Sequence, residues 1–210
     1  MNPDSNLFLM CEKPNPAAAS PLPPGITLRP CRPDELELWK AFPFDDPEIA
    51  TAQREYMAQF FARTYAPKGD LFFQTCLFAC NEQDEPVGTC FLWRVHGDAF
   101  NSLHWFKVKK GYEGKGIGRA LLSALLFSPE AQFPIFLHTQ PGSFRAIKLY
   151  SDFGFSLLTG GPVGHRSNDL KEALPALKAW MTPAAFAALR FSPAPQFFLD
   201  ATRGSTASEF

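Results

Sequence analysis

The spacing of apolar residues in the first half of the chain predicts helices followed by an antiparallel sheet. Apolar positions three and four residues apart predict helices over residues 34–42 and 48–65. Shorter apolar runs predict strands over residues 26–30, 71–80, 87–95 and 102–108. The polar turn at 81–86 joins two of these runs, which predicts a hairpin.

The second half of the chain changes to a strand, helix and strand order. Helical spacing begins at Ile117 and ends before Ser128-Pro129, and a nearly continuous apolar run follows at 135–139. Such a run is typical of a central parallel strand, so this segment predicts a right-handed crossover unit. Ser143 can cap a further helix that ends at Gly154, before a strand at 155–158.

The two ends of the chain contain proline-rich or short apolar patterns. Six prolines predict that residues 1–24 form a flexible or draped arm, in which 7–10 offer a docking patch. Residues 25–200 are predicted to form a single domain with a helical insert at about 165–190. Short helices are predicted at 170–174, 176–181 and 183–190, a last strand at 197–199 and a disordered tail over 201–210.

Length, net charge, apolar runs and cysteine spacing argue against several classes of protein. A length of 210 residues suits one domain with a sizeable core, and a net charge of −1 gives no general attraction to nucleic acid or anionic membranes. No apolar run is long enough to span a bilayer, and the N-terminus lacks a secretory pattern. Five cysteines without short paired spacings argue against disulfides and a zinc site. We therefore expect a cytoplasmic protein without a metal.

A glycine-rich turn separates the strand ending at Val108 from the helix beginning at Ile117. Four glycines occur in the eight residues 111–118, and Lys115 and Arg119 flank the helix start. The first N–H groups of a helix lack intrahelical partners and attract anions, and glycine lets a phosphate approach them closely. The segment predicts a phosphate site, although a turn that simply needs glycine would give the same pattern.

Two segments in consistent order resemble the GNAT N-acetyltransferase family. Residues 114–122, Gly-Lys-Gly-Ile-Gly-Arg-Ala-Leu-Leu, resemble its acyl-CoA pyrophosphate loop, and 146–155 resemble its second signature. Residues 26–36 also look like a GNAT opening, so the resemblance spans about 26–158. It implies an α/β (α+β) GNAT fold, a mixed, mostly antiparallel sheet flanked by helices. The central parallel pair would be splayed at Val108 and Thr139, with acyl-CoA in the gap.

The resemblance also implies which residues bind acetyl-CoA. The main chain at Phe106 and Val108 would pair with the pantetheine arm, and the N–H groups from Gly114 to Arg119 would hold the pyrophosphate. The implied cofactor-binding residues are Phe106, Lys107, Val108, Gly114, Lys115, Gly116, Ile117, Gly118, Arg119 and Ser143. One departure is Glu113, where the family usually has Gln or Arg, so we expect its side chain to turn outward. A second is the long insert after 155–158, where the family usually has a plain hairpin.

The implied catalytic residues are Tyr150, His138 and His104. Tyr150 would protonate the departing CoA thiolate, because a phenol remains protonated at neutral pH. His138 is slightly preferred over His104 as the general base, since an imidazole titrates in the useful range. Either histidine could instead be a packing residue, and a well-placed water could replace both.

These expectations define a function and its alternatives. The resemblance implies an acetyl-CoA-dependent N-acetyltransferase that acts on a primary amine of a small molecule or a protein N-terminus, by direct transfer in a ternary complex. Alternatives are a non-catalytic acyl-CoA-binding module and a nucleotide-binding or phosphotransfer domain. The last is disfavoured because the glycine turn lacks Gly-Lys-Ser/Thr. A homodimer is left open. Aromatic residues that either border the acceptor or form core are Phe42, Phe44, Tyr56, Phe60 and Tyr65.

Overall fold

A computed structural model describes residues 5–204 of the chain. In these residues the strands are β1 (Leu7–Cys11), β2 (Thr27–Pro30), β3 (Leu77–Cys80), β4 (Pro86–Val95), β5 (Phe100–Val108), β6 (Ile135–Thr139), β7 (Ser156–Thr159) and β8 (Phe191–Pro193). The helices are α1 (Leu36–Ala41), α2 (Pro47–Ala52), α3 (Arg54–Thr64), α4 (Leu71–Thr75), α5 (Ile117–Leu126), α6 (Phe144–Asp152), α7 (Leu170–Trp180), α8 (Pro183–Ala187) and α9 (Gln196–Arg203). No helix in 5–204 combines the length and apolar character needed to cross a bilayer.

The chain folds as two compact units. The central unit comprises Ala19–Trp93 and Leu103–Ser128. Of the described residues, the terminal unit comprises 5–18, Arg94–Ser102 and 129–204. Both β4 and β5 begin in one unit and end in the other.

The central unit contains an antiparallel sheet against which α5 packs. Strand β2 pairs with β3, and β3 pairs with β4, as the predicted hairpin requires. A Cβ atom added to Gly88 of β4 would lie 3.0 Å from Leu121 Cδ1 and 3.3 Å from Ile117 Cγ2. Glycine therefore lets α5 approach the sheet closely, and this contact positions the glycine turn that precedes the helix.

The prediction of one strand over 71–80 is wrong for its first half, because Leu71–Thr75 forms α4. The ring of Phe72 is fully buried, with ring centroids 4.8 Å from Trp39 and 5.0 Å from Phe61. A short apolar run does not distinguish a strand from a helix. Here a buried aromatic cluster stabilises the helical turn, and the strand begins only at Leu77.

The terminal unit contains a second set of paired strands, with β6 between β5 and β1. Strand β6 pairs in parallel with β5 at Asn101 and Ser102, and antiparallel with β1 along its length. Strand β1 also pairs antiparallel with β7, and β7 pairs in parallel with β8. The sheet pairing therefore includes both parallel and antiparallel strands, as the predicted fold class requires.

The predicted flexible arm is wrong for Leu7–Cys11, because these residues form β1. All five are buried, and the strand pairs on both edges. Five consecutive apolar residues need cover on both faces, which an interior strand provides. The predicted docking patch thus becomes a strand of the sheet. The antiparallel partner of β7, which a plain hairpin would supply from later in the chain, comes here from near the N-terminus.

The end of the chain differs from its prediction in two further ways. Residues 197–199 form part of α9 rather than a last strand, with Phe198 buried and Phe197 53% exposed. The predicted disordered tail begins within this helix at Ala201, while residues 205–210 lie outside the described residues.

The predicted insert contains α7 and α8. The break predicted at Pro175 is absent, because α7 continues through it. Proline removes only its own N–H, so the carbonyl that loses this partner is that of Lys171, an exposed residue.

Candidate active site

The glycine turn has the geometry of an open helix N-terminus. Gly114 and Gly116 have φ values of +75° and +83°, a region that side-chain-bearing residues rarely adopt. Gly116 precedes α5 as its N-cap, and no side chain caps the helix. A Cβ atom at Gly114 would meet no heavy atom within 4 Å, and residues 113–116 are all exposed. The first N–H groups of α5 therefore lie beside an open surface that an anion can approach.

The basic residues around this turn differ in their interaction partners. Lys107 forms an ion pair with Asp45 at 2.5 Å, so its charge is largely offset. Lys109 lies over the ring of Phe42, 5.2 Å from the ring centroid. Lys115 is exposed and lies 4.7 Å from the ring centroid of Tyr112. It forms no ion pair within residues 5–204, so its charge remains available at the turn.

The backbone of β5 departs from a regular strand at Trp105, which has a φ of +50°. This conformation is an outlier for a bulky residue. In a regular strand, successive side chains point to opposite faces. Here the His104 and Trp105 side chains both reach the hydroxyl of Tyr65. Regular alternation would have placed His104 on the same face as Phe106 and Val108, but the positive φ of Trp105 interrupts that alternation.

A buried hydrogen-bond chain fixes the protonation of His104. Trp105 Nε1 can only donate, and it lies 2.9 Å from the Tyr65 hydroxyl oxygen. The hydroxyl then donates its own proton to His104 Nδ1, 2.6 Å away. Neutral His104 therefore carries its proton on Nε2. Burial lowers the pKa of His104 to about 3, so its imidazole is neutral and a poor proton acceptor near neutral pH.

His138 lies near the end of β6 with a different hydrogen-bond partner. Its Nε2 is 2.7 Å from Asn6 Oδ1, which can only accept, so Nε2 carries the proton and Nδ1 the lone pair. Burial, followed by electrostatic interactions with Arg166 and His165, lowers the pKa of His138 to about 4. The His138 side chain is only half-buried. Its neutral form can accept a proton.

Tyr150 and Ser143 are both positioned by α6. Tyr150 is 5% exposed and its ring lies 5.8 Å from that of Phe155. Ser143 directly precedes the helix, but its side chain makes no capping hydrogen bond, so the predicted cap is wrong. Ser143 has a φ of −83° and a ψ of 29°, unlike the extended backbone of most capping residues.

The predicted site residues divide between the two units. The central unit carries His104, the end of β5 and the whole glycine turn. The terminal unit carries His138, Ser143 and Tyr150. The sequence did not indicate the involvement of Asn6, Trp105 or Arg166. The one available signal was at Tyr65, where a buried hydroxyl in an aromatic core needs a hydrogen-bond partner.

Neither a thiol nor a metal cluster adds to this chemistry in the part of the chain described. All five cysteines are buried and free. Burial raises the pKa of Cys11 to about 12 and raises those of Cys76 and Cys90 well above their usual value, so these thiols are poor nucleophiles. Residues 5–204 contain no group of three or more His, Cys, Asp or Glu side chains placed to hold a metal.

Comparison with known protein families identifies the class to which this fold and turn belong. The model of the acetyltransferase (GNAT) family matches residues 36–155, more than half of the chain. The matched segment includes the glycine turn, α5, β6 and α6. The chain therefore belongs to the GNAT acetyltransferase family. Membership implies acyl transfer from an acyl-CoA.

Solved structures resemble the chain only distantly. A GCN5-related N-acetyltransferase from Sphaerobacter thermophilus is 21% identical over 66% of this chain and 43% of its own, with a TM-score of 0.47. A putative acetyltransferase from Pyrococcus horikoshii is 24% identical over 51% of this chain and 35% of its own, with a TM-score of 0.40. The chain thus spans less than half the length of either. No curated protein matches it.

Proposed function

We propose that the protein transfers an acetyl group from acetyl-CoA to a primary amine, carried by a small molecule or a peptide N-terminus. Transfer would be direct, within a ternary complex. The observation that best supports this proposal is the exposed glycine turn at the start of α5, within the segment that matches the family model. An open helix start beside the exposed Lys115, which forms no ion pair in the described part of the chain, suits a diphosphate.

The residues of the turn fit the acetyl-CoA diphosphate in shape and charge. The N–H groups from Gly114 to Arg119 would hold it, and Lys115 would add a positive charge. The space beside Gly114 that a Cβ atom would occupy is open for a phosphate oxygen. Glu113 is exposed, as an outward-turned carboxylate requires. The main chain at Phe106 and Val108, together with Ser143, would hold the pantetheine arm.

Acetyl-CoA supplies an activated thioester, and side chains of the protein would carry out the two proton transfers. The attacking amine must lose a proton, and the departing thiolate must gain one. His138 is the better candidate for removing the proton from the amine, because His104 is buried and already accepts a hydrogen bond at Nδ1. A water relay would serve if His138 remains too weak a base. Tyr150 would supply the proton to the thiolate.

The experiment that tests this proposal is a transfer assay over matched amines. The wild type is incubated with acetyl-CoA and a panel of small amines, amino acids and peptides, while free thiol and acetylated product are measured together. Tyr150→Phe should lower kcat roughly 10² to 10⁴-fold with little change in acetyl-CoA affinity. Normal turnover in a folded Tyr150→Phe variant would remove Tyr150 as the acid.

A non-catalytic acyl-CoA-binding module is the second candidate. It is favoured by one observation, namely that both strand histidines have pKa values well below neutral. Stoichiometric CoA binding without acetylated product across the whole panel would support it. Product from any amine would exclude it.

A further inference from the structure

Among residues 5–204, Arg166 is a partly buried arginine without a carboxylate partner. Its Nε atom is shielded from solvent and makes no hydrogen bond in the described part of the chain. No ion pair of Arg166 occurs there either. A guanidinium cannot be deprotonated at physiological pH, and shielding one of its donors without an acceptor is costly. The arrangement suits a guanidinium that receives its acceptor from a ligand.

The segment that carries Arg166 is firmly fixed. The main chain of Arg166 exchanges two hydrogen bonds with Val163, of 3.0 and 3.1 Å. Between them, Gly164 has a φ of +59°, and a Cβ atom there would lie 3.2 Å from the carbonyl oxygen of Thr202. Beyond Arg166, the Asn168 side chain donates to Leu158 O at 2.8 Å. Arg166 is therefore held on a preorganised turn rather than on a loose loop.

The nearest carboxylate along the chain has another partner. Asp169 Oδ2 accepts a hydrogen bond from the main-chain N–H of Asn6 at 2.7 Å, and the Asp169 N–H donates to Asn6 O at 2.9 Å. The same Asn6 holds Nε2 of His138 through its side-chain oxygen. Through these hydrogen bonds, Asn6 connects the turn that carries Arg166 to His138, the candidate base. The Asp169 carboxylate is occupied by its hydrogen bond from Asn6.

Arg166 brings positive charge to His138. Arg166 and His165 both lower the pKa of His138, although burial is the larger cause. In the terminal unit, the candidate base thus lies near an arginine that forms no ion pair with any described residue. An acceptor that carried only an amine would gain nothing from this charge. An acceptor that also carried an anionic group would be attracted to it.

We propose that Arg166 binds a carboxylate on the acetyl acceptor, so that the preferred acceptor is a small amine with a carboxylate, as in an amino acid. This inference rests on the proposed function. The planar guanidinium can donate two parallel N–H bonds to the two carboxylate oxygens, which orients the acceptor as well as attracting it. Neutralising the Arg166 charge would also remove one of the causes that lower the pKa of His138. The acceptor would thereby make His138 a better base on binding.

The test uses acceptors that differ only in the carboxylate. An amino acid, its carboxamide and its decarboxylated amine are compared as substrates for the wild type, Arg166→Gln, Arg166→Lys and the control Arg203→Gln. Arg203 is an exposed arginine paired with Asp200 at 3.2 Å. Wild type should prefer the amino acid. Arg166→Gln should raise the KM for the amino acid by about 10- to 100-fold and leave the KM values for the other two amines unchanged. Arg166→Lys should recover part of the loss, and Arg203→Gln should match wild type.

Three outcomes would overturn the inference while leaving the proposed function intact. They are no preference for the carboxylate in wild type, equal losses on all three amines in Arg166→Gln, and a loss in the control Arg203→Gln as large as that in Arg166→Gln. Absence of product from every amine would instead overturn the proposed function. In that case calorimetry with N-acetylated amino acid and its amide, at saturating CoA, tests Arg166 without turnover. Equal binding of the two ligands, or no effect of Arg166→Gln, would reject the assignment.

Discussion

Burial makes both strand histidines neutral at physiological pH, and different neighbours determine where each ring carries its proton. The Tyr65 hydroxyl donates to Nδ1 of His104, whereas the Asn6 amide oxygen accepts from Nε2 of His138. The lone pair of His104 is therefore already used, while that of His138 lies at Nδ1. This difference, more than either pKa, favours His138 for accepting a proton.

Removing the Tyr65 hydroxyl should destabilise the fold. Tyr65→Phe would leave His104 Nδ1 and Trp105 Nε1 without the hydroxyl that now joins them, in a site that is 0% exposed at Tyr65. The free energy of unfolding should fall by about 1–3 kcal/mol, measured by urea denaturation. The control Tyr56→Phe removes a hydroxyl from a residue that is 52% exposed and should change little. Equal effects of the two variants would contradict the hydrogen-bond chain.

The depressed histidine pKa values predict loss of stability in mild acid. His104 and His138 have pKa values of about 3 and 4 in the folded chain against 6.5 when unfolded. The unfolded chain therefore binds more protons once the pH falls below about 6.5, and stability is lost as the pH falls further. Carboxylates such as Glu35, with a usual pKa of 4.5 that Arg29 lowers, add their effect only at lower pH.

This dependence can be measured between pH 7 and pH 5. Each histidine can contribute up to about 1.4 kcal/mol per pH unit to the slope of unfolding free energy against pH. His138→Gln keeps a polar side chain that can still donate to Asn6, and it should flatten the slope. A wild-type slope near zero in this range, or an unchanged slope in His138→Gln, would contradict the assigned protonation states.

Among the elements, β1 contributes most unexpectedly to the sheet. Leu9 pairs with Leu137 of β6 on one edge and with Leu157 of β7 on the other, and it is 1% exposed. A strand with partners on both edges is part of the core, although it lies in a segment rich in proline. We therefore expect the fold to depend on it.

Leu9→Ala should lower the free energy of unfolding by about 2–5 kcal/mol, because it leaves a cavity inside the sheet. The matched control is Leu22→Ala, since Leu22 is 40% exposed and lies outside the regular elements. That control should cost much less. If Leu9→Ala were as stable as the control, β1 would not be an integral strand.

The sequence was informative where a pattern is local and uninformative where it depends on a distant partner. The bounds of β6, the start of α5 and the glycine turn could be predicted, because each has its own spacing or residue type. The place of β1 could not be, because five apolar residues show that a segment is buried but not which strands flank it. The same limit explains the errors at α4 and α9.

The candidate site follows the same division. The glycine turn is encoded by four glycines within the eight residues 111–118, and Tyr150 lies in a recognisable helical signature. The left-handed backbone at Trp105 could not be predicted, because a tryptophan gives no signal for a positive φ. The partners of the two histidines and the ion-pair state of Arg166 arise from contacts between residues far apart in sequence. Those contacts distinguish the two histidines and favour His138 as the proposed base.

At the scale of the whole molecule, the family match identifies a member of the GNAT acetyltransferase family. The residues proposed to choose the acceptor lie partly outside the matched segment. Arg166 lies beyond residue 155, and Asn6 lies before residue 36. Family membership thus supports acyl-CoA as the donor without identifying the amine. Determining the acceptor requires the carboxylate-matched panel, whereas the donor can be tested by binding alone.

The most direct test of the central claim is calorimetric titration with acetyl-CoA and with S-acetylpantetheine, which shares the thioester arm but lacks the diphosphate. We predict that wild type binds acetyl-CoA at least tenfold more tightly than S-acetylpantetheine, because only acetyl-CoA carries the diphosphate that the glycine turn would hold. A factor of ten corresponds to about 1.4 kcal/mol of binding free energy. Lys115→Glu should remove most of that difference, and the exposed control Lys171→Glu should keep it. Equal affinity of wild type for the two ligands, or an unchanged difference in Lys115→Glu, would contradict the assignment of the glycine turn to the CoA diphosphate.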